Sequence, residues 1–304
     1  MDFTIVLNAM LVLLALMLVG FILYKLKLMT DEESKFLSKL VINVTNPALI
    51  IYSVLSDTEE RDIKKLGNIV LILILSFLFL FIISKLIVTI FRLKGIKNKT
   101  YQAMLSFANI GFMGIPLLSS IYGNKVMIYI SIAIVLFNLF IFSYGIFLLN
   151  PIKSKFKIKN LINTNIIAAI IALLIYIFDI RIPNVLSDIL KHTSNVTTFA
   201  AMVVIGATIA SQPLKEIFLD YKVYIFSFIK LILLPILMWL VFKNIVTDKL
   251  LFSVLIIITG MPIASTVTML ANEYNGDVED VSKGTCITTI LSVVTIPLIA
   301  YLFL

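Results

Sequence analysis

Asn109-Ile-Gly-Phe-Met-Gly-Ile-Pro-Leu-Leu-Ser-Ser-Ile-Tyr-Gly123 sets an Asn, two interior Gly and a Pro inside an apolar block long enough to span a bilayer. A helix cannot run through it undisturbed. Pro116 has no N–H to donate and crowds the carbonyl four residues back, while Gly111 and Gly114 loosen the backbone ahead of it. The helical ladder is therefore predicted to open around these positions. In hydrocarbon, opened backbone is tolerated only where it is buried in protein or lines a cavity. The same device recurs in Gly260-Met-Pro-Ile-Ala-Ser-Thr-Val-Thr268, with Pro262 at its centre. Two interrupted helices at corresponding places in two halves point to a secondary transporter's binding site.

Composition supplies the setting. The 304-residue chain is 61% hydrophobic and 14% charged, with a mean hydropathy of +1.09, which places it in a membrane. Apolar blocks lie at 3–24, 36–55, 66–91, 101–122, 126–149, 161–178, 196–210, 221–242, 250–271 and 281–304, about ten spans with almost nothing left for a soluble domain. Asn43, Thr45, Asn46 and Pro47 interrupt the second, and Ser/Thr-rich flanks shorten the seventh. Asp2 precedes the first block and Lys25 and Lys27 follow it, the reverse of a signal peptide's charge order, so it reads as a true span. The single Cys286 excludes an internal disulfide and offers no cysteine cluster for metal, and with His192 the one histidine in the sequence a zinc site is not expected.

Basic residues set the orientation. With the N-terminus outside, the inner loops carry 15 Lys and Arg and the outer side 8, so both termini are predicted to be extracellular. The net charge of +8 then belongs to the inner loops. The Lys153–Lys159 run alternates with Ser, Phe and Ile between two spans, and reads as a positive-inside loop rather than a nucleic-acid site. This connector, 150–160, divides the chain into residues 1–149 and 161–304, five spans each. An odd number per half forces the halves into opposite orientations. Tyr122-Gly123-Asn124 and Tyr274-Asn275-Gly276, each following a Pro-bearing span, support the internal repeat.

The Asn109–Gly123 run resembles the fourth span of the auxin efflux carrier family, which includes plant auxin exporters and many bacterial carriers. Met261-Pro262 through Ala271-Asn-Glu-Tyr-Asn275 and on to Pro297 resembles its last two spans, and Asn46-Pro-Ala-Leu-Ile50 and Lys230-Leu-Ile-Leu-Leu-Pro235 add weaker similarity. The short central loop is that of a prokaryotic member. The resemblance implies an all-α membrane protein of ten transmembrane helices in two inverted five-helix repeats, similar to bile-acid sodium symporters. It further implies that spans four and nine break and cross at their prolines beside the substrate. Spans 1, 2, 6 and 7 would form a scaffold that also makes a homodimer, and spans 3–5 and 8–10 a transport domain that moves against it.

Asn109 is the first candidate for substrate contact: its amide can hold a carboxylate, or it can cap the broken helix. A half-helix starting after a break aims free N–H groups and a positive dipole end at the gap, which suits an anion. Gly111, Gly114, Pro116 and Pro262 shape the breaks, and Ser265, Thr266 and Thr268 follow the second one. Asn46 joins the set through the resemblance. Lys230 lies near mid-span, where a charge is costly and marks function by default, as a balance for an anion or with an interior structural partner; Lys85 is close enough to a span end to snorkel. Thr285, Thr288, Thr289 and Ser292 offer hydroxyls to a coupling sodium ion, but no acidic residue stands among them. Asp179, Glu273 and Asp277 sit near span ends, so no proton relay is visible.

These features describe a secondary carrier of a small organic anion in the plasma membrane, with no cofactor. The family's bacterial members are associated with malate, malonate and similar carboxylates, and the residues do not choose between these and auxin-like aromatic acids. A sodium-coupled symporter of another organic solute is the alternative, and a passive channel a further one, which internal inversion disfavours. An intramembrane enzyme would need a catalytic set that is missing, and a nucleotide-driven pump a phosphate loop that is missing.

Overall fold

Backbone in hydrocarbon must satisfy its own hydrogen bonds, and a sequence this apolar does so with helices. A computed structural model describes residues 3–55, 63–150, 164–180, 182–274 and 276–304; most of the 150–160 connector lies outside them. In the first half run α1 (Phe3–Lys25), α2 (Asp31–Leu40), α3 (Asn46–Leu55), α4 (Ile63–Ile90), α5 (Gly95–Ser106), α6 (Ile115–Tyr122), α7 (Met127–Phe140) and α8 (Ile146–Leu149). The second half holds α9 (Thr164–Phe178), α10 (Asn184–Asn195), α11 (Thr197–Ser211), α12 (Leu214–Leu219), α13 (Tyr221–Phe228), α14 (Leu234–Phe242), α15 (Lys249–Thr259), α16 (Ser265–Glu273) and α17 (Val278–Phe303). Among the described residues six runs are long and apolar enough to cross a bilayer: Thr4–Lys25, Leu66–Ile90, Ile110–Leu149, Asn184–Ser211, Tyr221–Phe242 and Val278–Phe303. Thr164–Phe178 and Lys249–Thr259 are shorter apolar helices.

Polar side chains start several helices. Thr30 and Glu33 form a reciprocal box ahead of α2, Glu33 accepting from the Thr30 N–H at 2.6 Å. Asp248 accepts from the N–H groups of Leu250 and Leu251 at the head of α15, and Asp277 from that of Asp280 at the head of α17.

Three prolines change a helix's pitch rather than ending it. Pro47, Pro116 and Pro235 each sit just after a π-helical turn, Val41–Thr45, Ile110–Gly114 and Ile229–Leu233. In each case the residue before the proline donates five residues back, Asn46 to Val41, Ile115 to Ile110 and Leu234 to Ile229. The wider turn gives the ring room it lacks in a regular α-helix. Pro116 is thus accommodated in the first turn of α6, and the break expected around it lies earlier, at Phe107–Asn109. The later break, Gly260–Ala264 between α15 and α16, does contain its proline, Pro262.

Packing groups the helices. The α1 helix lies against α11, α3 against α9 and α10, and α2 against α11. At the α1–α11 crossing the backbones touch: a Cβ added to Gly206 would stand 1.9 Å from the Met17 carbonyl oxygen, and one on Gly20 2.1 Å from that of Val203. Elsewhere α4 packs on α5 and α7, α14 on α15, and α17 on α13 and α16. The two groups meet where α1 touches α17 and α9 touches α7.

Candidate functional site

The two breaks pair with each other. The Asn109 N–H donates to the Pro262 carbonyl at 2.9 Å and the Ala264 N–H to the Phe107 carbonyl at 3.1 Å, an antiparallel bridge that sets Ala108 opposite Ile263. The Ile263 N–H is taken by the Thr288 hydroxyl of α17 at 3.2 Å. Backbone released by two helices is thereby satisfied inside the protein, as a bilayer requires.

Asn109 closes one side of this crossing. Its Oδ1 accepts from the Phe112 N–H at 3.3 Å, and its backbone carbonyl accepts from Met113 and Gly114. Among the described residues no acceptor lies within reach of its Nδ2. On the other side Ala264 offers α16 no capping group, so the N–H groups of Ser265 and Thr266 have no partner one turn back.

Two cavities flank the crossing. The larger, about 440 Å³, is walled by Lys35 and Lys39 of α2, Thr208 and Gln212 around the end of α11, Thr268 of α16 and Thr285 of α17. The smaller, about 140 Å³, is lined by Asn46, Gly111, Asn138, Asn165 and Thr266 among others. Asn109, Phe112, Ser265, Met269 and Ile42 belong to both. Among the described residues neither lining contains a carboxylate, and the larger contains two lysines. Open helix N-termini, amides, hydroxyls and cations without an opposing acid make a setting for negative charge.

Residues 5–160 and 149–300 match the family described as membrane transport protein. The chain belongs to the auxin efflux carrier family. It is 23% identical to an uncharacterized transporter of Methanocaldococcus jannaschii over 98% of both sequences. It is 25% identical to an uncharacterized transporter of Methanothermobacter thermautotrophicus over 94% of both, and 22% identical to the uncharacterized transporter YfdV of Escherichia coli over 95% of both. This auxin efflux carrier homologue is accordingly a multi-pass membrane transporter, of a family of transporters rather than enzymes.

Of the residues singled out in the carrier's sequence, Asn46, Asn109, Gly111, Ser265 and Thr266 come together in the cavity walls, with Asn46 Nδ2 donating to the Gly111 carbonyl at 3.3 Å. Gly114, Pro116, Pro262 and Lys230 line neither cavity. Gly114 packs against Met261 of the opposite break, where an added Cβ would stand 3.1 Å from its sulfur. Pro262 acts through its carbonyl, and Pro116 through the pitch change before it. Lys230 is fully buried and donates to the Leu105 carbonyl at 3.2 Å, so its ammonium sits on the last turn of α5, where a helix dipole is negative. It is held away from the cavities that an anion would enter. The hydroxyls of Thr288, Thr289 and Ser292 all donate to their own helix one turn back. Asn138, Asn165, Lys35 and Lys39 were not anticipated as lining residues.

Beyond the larger cavity, Lys97 of α5 pairs with Asp280 at 3.0 Å and reaches Asp277 at 4.0 Å, while Lys283 reaches Asp220 at 3.7 Å. The Asp280 carboxylate holds the Lys97 ammonium above the usual lysine range, so on the alkaline side this tie outlasts an ordinary lysine's charge. The two ties together fasten α5 and the residue that heads α13 to α17 at the basic-loop end.

Proposed function

We propose that the protein is a secondary carrier of a small organic anion in the plasma membrane, working by elevator-type alternating access. The observation that carries this reading is the shared wall of the two cavities, where the Asn109 amide and the uncapped start of α16 face the same space. A carboxylate placed there accepts from Nδ2 and from the Ser265 and Thr266 N–H groups, and Lys35 and Lys39 draw anions toward it.

Ten spans in two inverted repeats fit the packing. Exchanging the halves turns the α1–α11 contact into α9–α3, and the α1–α17 contact into α9–α7. The α1, α2–α3, α9 and α10–α11 group is read as the scaffold and dimer-forming unit, and the remainder as the moving unit, with the site at their boundary. Both cavities draw on each unit, which is what an elevator site needs. With the basic loops inside, the larger cavity opens to the cytoplasm. Sodium coupling has weaker support, since the Thr288, Thr289 and Ser292 hydroxyls are engaged in their own helix and that of Thr285 pairs with Thr268 of α16.

A proteoliposome uptake screen over dicarboxylates and indole acids, with and without sodium and proton gradients, tests this. Saturable uptake of at least one carboxylate is expected, competed by its analogues. Uptake of none of these acids alongside uptake of neutral or cationic solutes would overturn the anion reading.

A further inference from the structure

A recess of about 280 Å³ lies away from the crossing, between α4, α5 and α13 at the basic-loop end. Its walls follow helical spacing, with Ile87 of α4 and Phe91 just past its end, and Tyr221 and Ile225 of α13 with Ile229 of the π-helical turn that follows. Leu105 and the Tyr101–Phe226 ring pair, centroids 5.0 Å apart, form the floor. Phe91 is 52% and Ile225 48% exposed, so the slot opens sideways to the bilayer.

A single charged residue, Lys222, joins this apolar lining, and Arg92 and Lys94 flank Leu93 at its rim. All three are exposed and, among the described residues, none has a carboxylate within ion-pair distance. Lys97 and Lys283 at the same end are by contrast both paired with acids. Uncompensated cations are thus gathered at the mouth of an apolar slot.

We propose that the groove between α4 and α13 is a binding site for an anionic phospholipid of the leaflet on the basic-loop side. An acyl tail lies along Phe91, Ile225 and Ile229 over the Leu105 floor, and the headgroup phosphate sits among Arg92, Lys94 and Lys222. Juxtamembrane cations attract anionic headgroups, and a tail in the slot covers apolar surface that the helices leave open. The floor residue Leu105 is also the one whose carbonyl holds Lys230.

Native mass spectrometry of the purified full-length protein tests this, using phosphatidylglycerol and phosphatidylcholine with the same acyl tails. The wild type is expected to retain one phosphatidylglycerol about tenfold or more tightly than phosphatidylcholine. Joint Arg92→Gln, Lys94→Gln and Lys222→Gln substitution removes the preference. Ile225→Trp, which fills the slot and keeps the cations, removes the retained lipid, and Ile87→Trp repeats the test if that variant's melting temperature collapses. Equal retention of both lipids by the wild type, a preference that survives neutralisation, or retention that survives groove filling would each overturn the proposal. So would a lipid-independent dimer that groove filling dissociates, since a second copy would then be the occupant.

Discussion

At the scale of single residues, Asn109 uses the two ends of one amide differently: Oδ1 caps the turn that begins at Ile110, and Nδ2 is left facing the cavity wall. Asn109→Asp separates the two, because it keeps the acceptor and puts a second oxygen where the donor stood. A hydrogen bond to a charged ligand is worth about 1.5–3 kcal/mol, so carboxylate affinity is expected to fall about ten- to a hundredfold or more, with a lower melting temperature as well because the new carboxylate is buried. Titration calorimetry beside a thermal melt reads both, and unchanged affinity would leave Asn109 with its cap alone. Asn109→Ala should lose about 1 kcal/mol of stability as well. Lys230 has the opposite expectation. Its ammonium is buried against a carbonyl and not a carboxylate, so Lys230→Met, apolar and of similar length, is expected not to lower the melting temperature. A fall of several degrees would show that the bond to Leu105 outweighs the cost of burying the charge. Asn109 was legible because it stands beside two glycines and a proline in an apolar run. Asn138 and Asn165 carry no such neighbours, and their convergence on one cavity depends on helices distant in sequence.

Between elements, the tightest contact is the glycine crossing of α1 and α11. Both atoms that an added methyl would strike belong to backbone, so no flexible group is there to move aside. Gly206→Ala is therefore expected to destabilise by at least the roughly 1–3 kcal/mol of ordinary overpacking. Gly67 of α4 is the control: nothing lies within 4 Å of an added Cβ, and Gly67→Ala should be neutral or stabilising by up to about 1 kcal/mol. A thermal-shift comparison in detergent checks the pair, and equal melting temperatures would mean that α1 and α11 pack less closely. Nothing marked Gly20 or Gly206 in advance, since each reads as an ordinary glycine of a membrane helix. The helix interruptions were visible in Gly and Pro, but their register was not: the π-helical turn absorbs Pro116 and shifts the opening to Phe107–Asn109. The helical run Asn184–Ser211 likewise begins well before the apolar block at 196–210, because α10 is polar on one face and leaves no hydropathy signal.

For the molecule as a whole, hydropathy was enough to announce an all-helical membrane protein, whereas the cavities depend on how distant helices meet. Cys286 lines the larger cavity, on the side that bears Lys35 and Lys39. Cys286 is itself buried, so the test of orientation uses Lys35→Cys, exposed on the same wall, in a Cys286→Ser background: if that side is cytoplasmic, an impermeant thiol reagent should modify it in inside-out vesicles and leave it untouched in intact cells. Labelling from outside the cell would reverse the orientation inferred from the loop charges. The crossing itself has a further consequence. The bonds that join its two breaks run from backbone amide to backbone carbonyl, and Pro262 contributes only an oxygen that any residue possesses. The frame of the site is thus written in chemistry common to all amino acids, while most of the cavity lining around it is written in side chains. On the proposed reading, replacements at Asn138 or Thr266 alter what the cavity accepts without touching the bonds that hold the two breaks together.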